Sequence, residues 1–325
     1  MPQLVRRFLL TVDGSPECLF PLRFLAMLYH DLKQVHILLC CFYSPLAPVY
    51  QERDLSSSMV EQREERIEAR QDVVQGILDK ARQAVIDAGM DAENIRLHTQ
   101  ERSVSVAQHA CSLAGISRVD CVLVQKTTMG NLHGFLGGNP IPTHLRHCLA
   151  KPVWFLEGGH IDTSRAAIGM YQEDASLRAV SHAASMLAGC NTLIDLIHCD
   201  PHIDWSISSA IAEPSAPLLA WEKSPHGSAL VPYLRQARQI LAERGIPEKD
   251  VRVVVLPSRG DVARSIREYC HQAHVGIMVL GHSKPDGIWG FMKNSVTRAI
   301  LAESRNLAVW VVQRGTGYTH EDSCC

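Results

Sequence analysis

The sequence predicts an α/β protein built from two tandem doubly wound domains, each a five-stranded parallel sheet flanked by helices. Two observations carry that expectation. The first is an internal repeat at a fixed shift of 156 residues, without a gap. Leu78, Ala81, Arg82, Gln83 and Gly89 fall on Leu234, Ala237, Arg238, Gln239 and Gly245; Val106-Ala107, Gly134-Phe135 and Val153-Trp154 fall on Val262-Ala263, Gly290-Phe291 and Val309-Trp310. One shift shared by helix-like, strand-like and loop-like stretches marks a duplicated unit, and each copy is long enough to hold its own core. The second is strict alternation of strand and helix patterns inside each copy, which means a parallel sheet wound on both faces.

Each copy opens with a short apolar run, Phe8–Val12 and Ala166–Tyr171. A helical pattern follows at Leu19–Leu28 and Leu177–Leu187, where apolar residues recur three and four apart. Val35–Tyr43 and Thr192–His198 are continuous apolar runs of strand length, as parallel strands covered on both faces require. Longer helices are predicted over Gln71–Ala88 and Leu230–Arg244. They end at Gly89 and Gly245, just past the last turn, where a left-handed residue closes a helix. Next come a strand (Ile95–Thr99; Val251–Leu256), a helix (Val104–Ala114; Val262–Ala273) and a strand (Cys121–Val124; Gly276–Leu280). A glycine-bearing loop, a final helix and a last strand (Val153–Leu156; Ala308–Val312) complete each copy. Gly158–Ser164 is the expected linker, giving domains over 1–158 and 164–315 and a flexible tail over 316–325. The mixed-sign run Glu61–Asp72 is expected to be a solvated helix face.

A net charge of −2 leaves no electrostatic footprint for nucleic acid. The longest apolar runs, Ile37–Tyr43 and Val253–Leu256, are far shorter than the roughly 20 residues of a membrane helix. Met1–Val12 lacks the apolar core of a secretory signal. A cytoplasmic location is therefore expected, with the 11 cysteines as reduced thiols that mostly fill the core. His144/His147/Cys148 and Cys270/His271/His274 have helical spacing that suits a metal. Neither group repeats in the other copy, so isolated surface histidines with no metal are expected. No dinucleotide fingerprint, Walker loop or nucleophile elbow is present, and no enzyme is expected.

One loop has the chemistry of an anion site. In the second copy the fourth strand ends in Val279-Leu280-Gly281. His282-Ser283-Lys284 follow, then nine residues, then Asn294-Ser295-Val296-Thr297 at a helix start. Glycine lets backbone come close to a ligand. Asn294 and Ser295 offer N–H groups, a hydroxyl and the positive end of a helix dipole. Lys284 and Lys293 add charge. A phosphate cradle and an ordinary strand–loop–helix capped by Asn294 or Ser295 both remain open readings.

Three stretches carry a resemblance. Val12-Asp13-Gly14-Ser15-Pro16 looks like a first strand and turn. Gly260-Asp261-Val262-Ala263 through Val279-Leu280-Gly281-His282 looks like a third helix and fourth strand. Gly281, Lys284, Asn294 and Ser295 keep the spacing of a Gly, two residues, Gly, nine residues, Gly and Ser/Thr pattern. On these residues each copy resembles the universal stress protein family, and the whole chain resembles its tandem two-domain members. In the first copy the same spacing falls on Gln125, Thr128, Gly138 and Asn139. The family's aspartate at the end of strand one matches Asp13, and its second-copy counterpart is Tyr171.

The resemblance implies a stress-response sensor or scaffold that acts by binding rather than turnover. It implies an adenine nucleotide, ATP, ADP or AMP, in the second domain on Gly281, His282, Lys284, Lys293, Asn294, Ser295 and Val296. The base would lie near Tyr171 and the His198-Cys199 strand end. A weaker first site would use Asp13, Gly14, Gly138 and Asn139, with Gln125 intruding where a triphosphate lies and Asp13 equally suited to holding its own turn. The alternative is a protein-interaction module with both sites degenerate and empty. The resemblance also implies that the two last strands pair antiparallel within the chain, as a pseudo-dimer with Trp154 and Trp310 near its axis. A homodimer is expected beyond that, through apolar area on Trp205, Trp221 and Trp289, with no nucleic acid or membrane partner.

Overall fold

The computed structural model describes residues 4–52, 54–126, 140–148, 150–203, 210–258, 261–282 and 296–313. Lys284, Lys293, Asn294 and Ser295 of the second copy and Gly138 and Asn139 of the first lie outside the described residues, as do Trp205, Trp289 and the tail. The chain divides into two compact units, Met1–Cys148 and Leu149–Cys325.

Unit 1 runs β1 (Arg6–Thr11), α1 (Phe20–Leu28), β2 (Val35–Tyr43), α2 (Ser57–Asp87), β3 (Ile95–Glu101), α3 (Val106–Ile116), β4 (Cys121–Lys126) and α4 (Pro140–His147). The strands pair in parallel in the order β3-β2-β1-β4. Phe8, Leu9 and Leu10 of β1 are all buried, so both of its faces are covered, as the continuous apolar run requires. α2 begins at Ser57 rather than near Gln71, because the charge run Glu61–Asp72 is itself helical. Its buried residues start only at Val74 and continue through Leu78, Ala81 and Val85 at helical spacing. The first half is held by cation–aromatic contacts instead, Arg66 over Tyr50 at 5.0 Å and Arg70 over Tyr43 at 4.8 Å.

Unit 2 runs β5 (Val153–Glu157), β6 (Arg165–Gly169), α5 (Asp174–Leu187), β7 (Leu193–Asp200), β8 (Ile211–Ala212), α6 (Ala216–Glu222), α7 (Pro225–Glu243), β9 (Val251–Pro257), α8 (Val262–Gln272), β10 (Ile277–Gly281), α9 (Val296–Glu303) and β11 (Ala308–Val312). Its strand order is β5-β11-β10-β6-β7-β9-β8. The inner five are parallel, and β5 and β8 flank them antiparallel. The two last strands thus pair, with Trp310 opposite Trp154. The indoles stack 3.7 Å apart, 2° from parallel, and both are fully buried. β5 falls with unit 2 because β11 is its partner there. The link Gly158–Ser164 is packed rather than loose: Ile161 is buried, and a side chain at Gly276 would meet the Asp162 carbonyl oxygen at 1.8 Å.

Two buried polar clusters fix this unit. The Trp154 indole N–H donates to His182 Nε2 at 2.8 Å, so the neutral ring carries its proton on Nδ1. His182 is fully buried, and burial holds its pKa down at about 3. At the amino ends of the strands, Asp195 is 1% exposed and accepts from Arg252 Nε at 2.6 Å and from the Tyr269 hydroxyl at 2.7 Å, with Arg165 at 3.5 Å. Register places Arg252 directly opposite Asp195, so the pair is built into the β7–β9 ladder.

The cysteines and histidines differ from expectation. Cys111 and Cys148 are joined in a disulfide, because α3 and the end of α4 bring their Cα atoms to 4.7 Å, within bridging range. His144 is buried, not on the surface, while Cys148 and Cys270 are buried as core-filling cysteines. Among the described residues no three His, Cys, Asp or Glu side chains gather as metal ligands, and no helix is long and apolar enough to cross a membrane.

Candidate functional site

In a doubly wound sheet, ligands bind at the carboxyl ends of the strands where the winding direction reverses. In unit 2 that point lies between β6 and β10. Strand registers make the two copies comparable there. Phe8 pairs with Cys121 in unit 1 and Ala166 with Ile277 in unit 2. Counting outward, Tyr171 occupies the position of Asp13, and Gly281 that of Gln125.

The structure brings Tyr171 and Gly281 together. The half-buried Tyr171 donates its hydroxyl to the Gly281 carbonyl at 2.5 Å. Gly281 is glycine for a packing reason that the sequence does not reveal. A Cβ there would lie 2.0 Å from the Ala175 carbonyl oxygen in the first turn of α5. Backbone cannot yield that far, so Gly281→Ala is expected to cost roughly 3 kcal/mol in denaturant unfolding followed by tryptophan fluorescence. Gly76→Ala is the contrast. That site lies within α2 with nothing inside 4 Å, and a gain of about 0.5–1 kcal/mol is expected. Equal effects at the two positions would contradict this account of Gly281. Next to it, His282 is buried, its N–H donates to the Val312 carbonyl at 2.8 Å, and burial lowers its pKa. Val296 opens α9.

The end of β7 adds groups that sequence reasoning only half found. His198 Nδ1 lies 2.9 Å from the Met170 carbonyl, which can only accept, so Nδ1 carries the proton. Burial lowers the His198 pKa, partly offset by that carbonyl and by Asp200. Asp200 is 3% exposed and was not anticipated. It accepts from the Trp221 indole at 2.6 Å and from the His202 N–H at 2.7 Å. Burial pushes its carboxyl up, but these two bonds, with His198 and His226 nearby, outweigh burial, and the net shift is downward. Trp221 is 7% exposed, with its indole committed to Asp200, so it offers no apolar surface to a partner. Registers place Asp200 where unit 1 has Tyr43, and His198 where it has Cys41. Polar residues ending an otherwise apolar strand were the available signal. This crest can hold a ligand by stacking and hydrogen bonding.

In the matching place of unit 1, Asp13 serves its own backbone turn. Asp13 Oδ1 accepts from the Ser15 N–H at 2.9 Å and its hydroxyl at 2.6 Å, so the carboxylate holds the turn before α1. Gly14 sits at φ +86°, a left-handed conformation that favours glycine. Burial raises the thiols of Cys18 and Cys41, the latter to about 11; the Asp13 charge adds to both, while backbone hydrogen bonding from Asp13 and Gly14 opposes the rise at Cys18. Gln125 is half-buried, and its buried side-chain oxygen has no hydrogen-bond partner among the described residues.

No family model and no curated protein matches the chain. Solved structures do. A universal stress protein from Archaeoglobus fulgidus DSM 4304 superposes with a TM-score of 0.60 at 12% identity, covering 95% of this chain and 96% of that one. A protein provisionally assigned as a universal stress protein from Pseudomonas aeruginosa UCBPP-PA14 gives 0.52 at 15% identity, covering 96% and 94%. A functionally unknown protein from Pseudomonas aeruginosa PAO1 also gives 0.52, at 14% identity, over 96% and 94%. At such identities the likeness is one of fold, and it spans the full length of each chain. Joined to the internal repeat and the strand orders of the two units, it identifies this chain as having the universal stress protein fold, twice in tandem.

Proposed function

We propose that the chain is a stress-response sensor or scaffold that acts by binding, and that unit 2 takes an adenine nucleotide at the carboxyl ends of β6, β7 and β10. The observation that carries this reading is the state of Tyr171. Its hydroxyl is fixed to β10, so a half-buried aromatic ring is held in place at the winding reversal, where a base can stack on it without first ordering it. The neutral His198 supports the same site. Lys284, Lys293, Asn294 and Ser295 would supply the phosphate contacts. The corresponding place in unit 1 is taken by the Asp13 turn and Gln125, so that copy serves as the empty partner. The assembly proposed is a homodimer of tandem chains, working in the cytoplasm.

Calorimetric titration of ATP, ADP and AMP into wild type, Tyr171→Ala and Asp13→Ala tests the reading. One site is expected, weakened about tenfold or more by Tyr171→Ala, since stacking on one base is worth roughly 1–3 kcal/mol. Asp13→Ala should leave it unchanged. Loss of binding in Asp13→Ala alone would move the nucleotide to unit 1.

One observation favours a second reading. The Tyr171–Gly281 bond and the Ala175 carbonyl close the reversal point of unit 2 from within. A chain whose two crevices are both self-filled is a protein-interaction module, and the absence of heat at millimolar nucleotide selects it.

A further inference from the structure

In unit 1 the Cys111–Cys148 disulfide joins α3 to the residue that follows α4. At the repeat shift these cysteines correspond to Arg267 and Ser304. Unit 2 ties the same two helices by other means: Arg267 of α8 forms an ion pair with Glu303, the last residue of α9 and the neighbour of Ser304. One architectural tie is therefore built twice, once from charge and once from sulfur. The ion pair is indifferent to thiol reagents, and the disulfide is not. The pair also stands apart from the free thiols of Cys18, Cys40, Cys41, Cys121, Cys199 and Cys270, whose ionisation burial suppresses.

We propose that Cys111–Cys148 is a reversible modification site for low-molecular-weight disulfides, and that its state decides whether α4 is fastened to α3 while the counterpart helices of unit 2 stay fastened. In closing, one cysteine thiolate attacks a sulfur of a small disulfide such as oxidised glutathione. A mixed disulfide forms and one small thiolate leaves. The second cysteine thiolate then attacks the protein-side sulfur, the Cys111–Cys148 bond forms, and the second small thiolate leaves. Two electrons pass from the protein dithiol to the small disulfide, and the two cysteine protons end on the released thiols. A small dithiol runs the sequence backwards. Both cysteines are buried, at 7% and 2% exposure, so exchange proceeds through opening of α4. A helix of only eight residues is an element suited to local opening.

The test uses the full chain, treated with dithiothreitol or with oxidised glutathione, and reads thiol alkylation and amide hydrogen exchange by mass spectrometry. Dithiothreitol is expected to expose two further alkylation sites, at Cys111 and Cys148. It should also speed exchange of the amides of residues 144–147 by about tenfold or more, leaving 296–303 unchanged. Oxidised glutathione should reverse both effects. Cys111→Ser should show the fast exchange under both treatments. Should that variant fail to fold, the wild-type comparison decides alone. Equal exchange at 144–147 in the two redox states, equal speeding at 296–303, or failure of oxidised glutathione to re-form the bond would each overturn the proposal.

Discussion

Acidification from pH 7 to pH 4 is expected to make His182→Gln more stable than wild type, although it is the weaker protein at pH 7. The folded pKa of His182, about 3, lies below the unfolded value of 6.5. Between these values the unfolded chain binds one more proton than the folded chain, so stability rises with pH there. The contribution is fully present above pH 6.5 and is lost as pH falls towards 3. The slope is about 1.4 kcal/mol per pH unit, so the window as a whole is worth about 5 kcal/mol. Glutamine keeps an acceptor for the Trp154 indole but cannot take up the proton. Its imperfect hydrogen bond should cost about 1 kcal/mol at pH 7. The two stability curves should therefore cross between pH 6 and pH 5. His36, His109, His198 and His282 also have lowered pKa values and steepen both curves alike. Urea unfolding followed by tryptophan fluorescence at several pH values measures the crossing, and a constant gap between the curves would show that His182 is not the acid-sensitive group.

The second large effect is expected at Asp195. Asp195→Ala removes the acceptor of the Arg252 fork and the Tyr269 hydroxyl together, leaving the Arg252 charge and Tyr269 without their carboxylate. Breaking a buried ion pair from one side costs about 3–5 kcal/mol. The Arg252 side chain is 37% exposed, so water compensates in part, and about 3 kcal/mol is expected. For a unit of this size that lowers the melting temperature by roughly 10 °C. Removing both partners in Asp195→Leu with Arg252→Leu should cost less than the single change, because no charge is stranded. Calorimetry of the single and double variants measures both, and a double variant weaker than Asp195→Ala would contradict the account.

The fold was legible because its signals are collective. Strands such as β4 and β10 are buried on both faces, so they appear as unbroken apolar runs. The duplication then let each reading be checked in its twin. The pairing of the last strands was implied by the family resemblance, and the matched tryptophans lie opposite each other.

What stayed hidden was decided by single contacts. The solvated helix face over Glu61–Asp72 was readable, but the start of α2 at Ser57 and the arginines that sit on tyrosines there were not. β8 is two residues long and carries no periodicity, although it covers the edge of β9. Trp221 reads as a surface aromatic until Asp200 takes its indole N–H. The Cys111–Cys148 bond spans 37 residues and has no local signature. Gly281 is the instructive case. A glycine that admits a phosphate and one that admits a helix turn are the same letter, and only the Ala175 carbonyl tells them apart. The equivalence of Asp13 and Tyr171 was readable; the bond from Tyr171 to Gly281 was not.

A native mass spectrum of the purified full chain, after incubation with millimolar ATP, ADP and AMP, tests the central claim most directly. The account predicts one adenine nucleotide per chain, retained by Asp13→Ala and retained by a much smaller fraction of Tyr171→Ala chains. A chain that stays bare in all three nucleotides, or one that carries two, would contradict it.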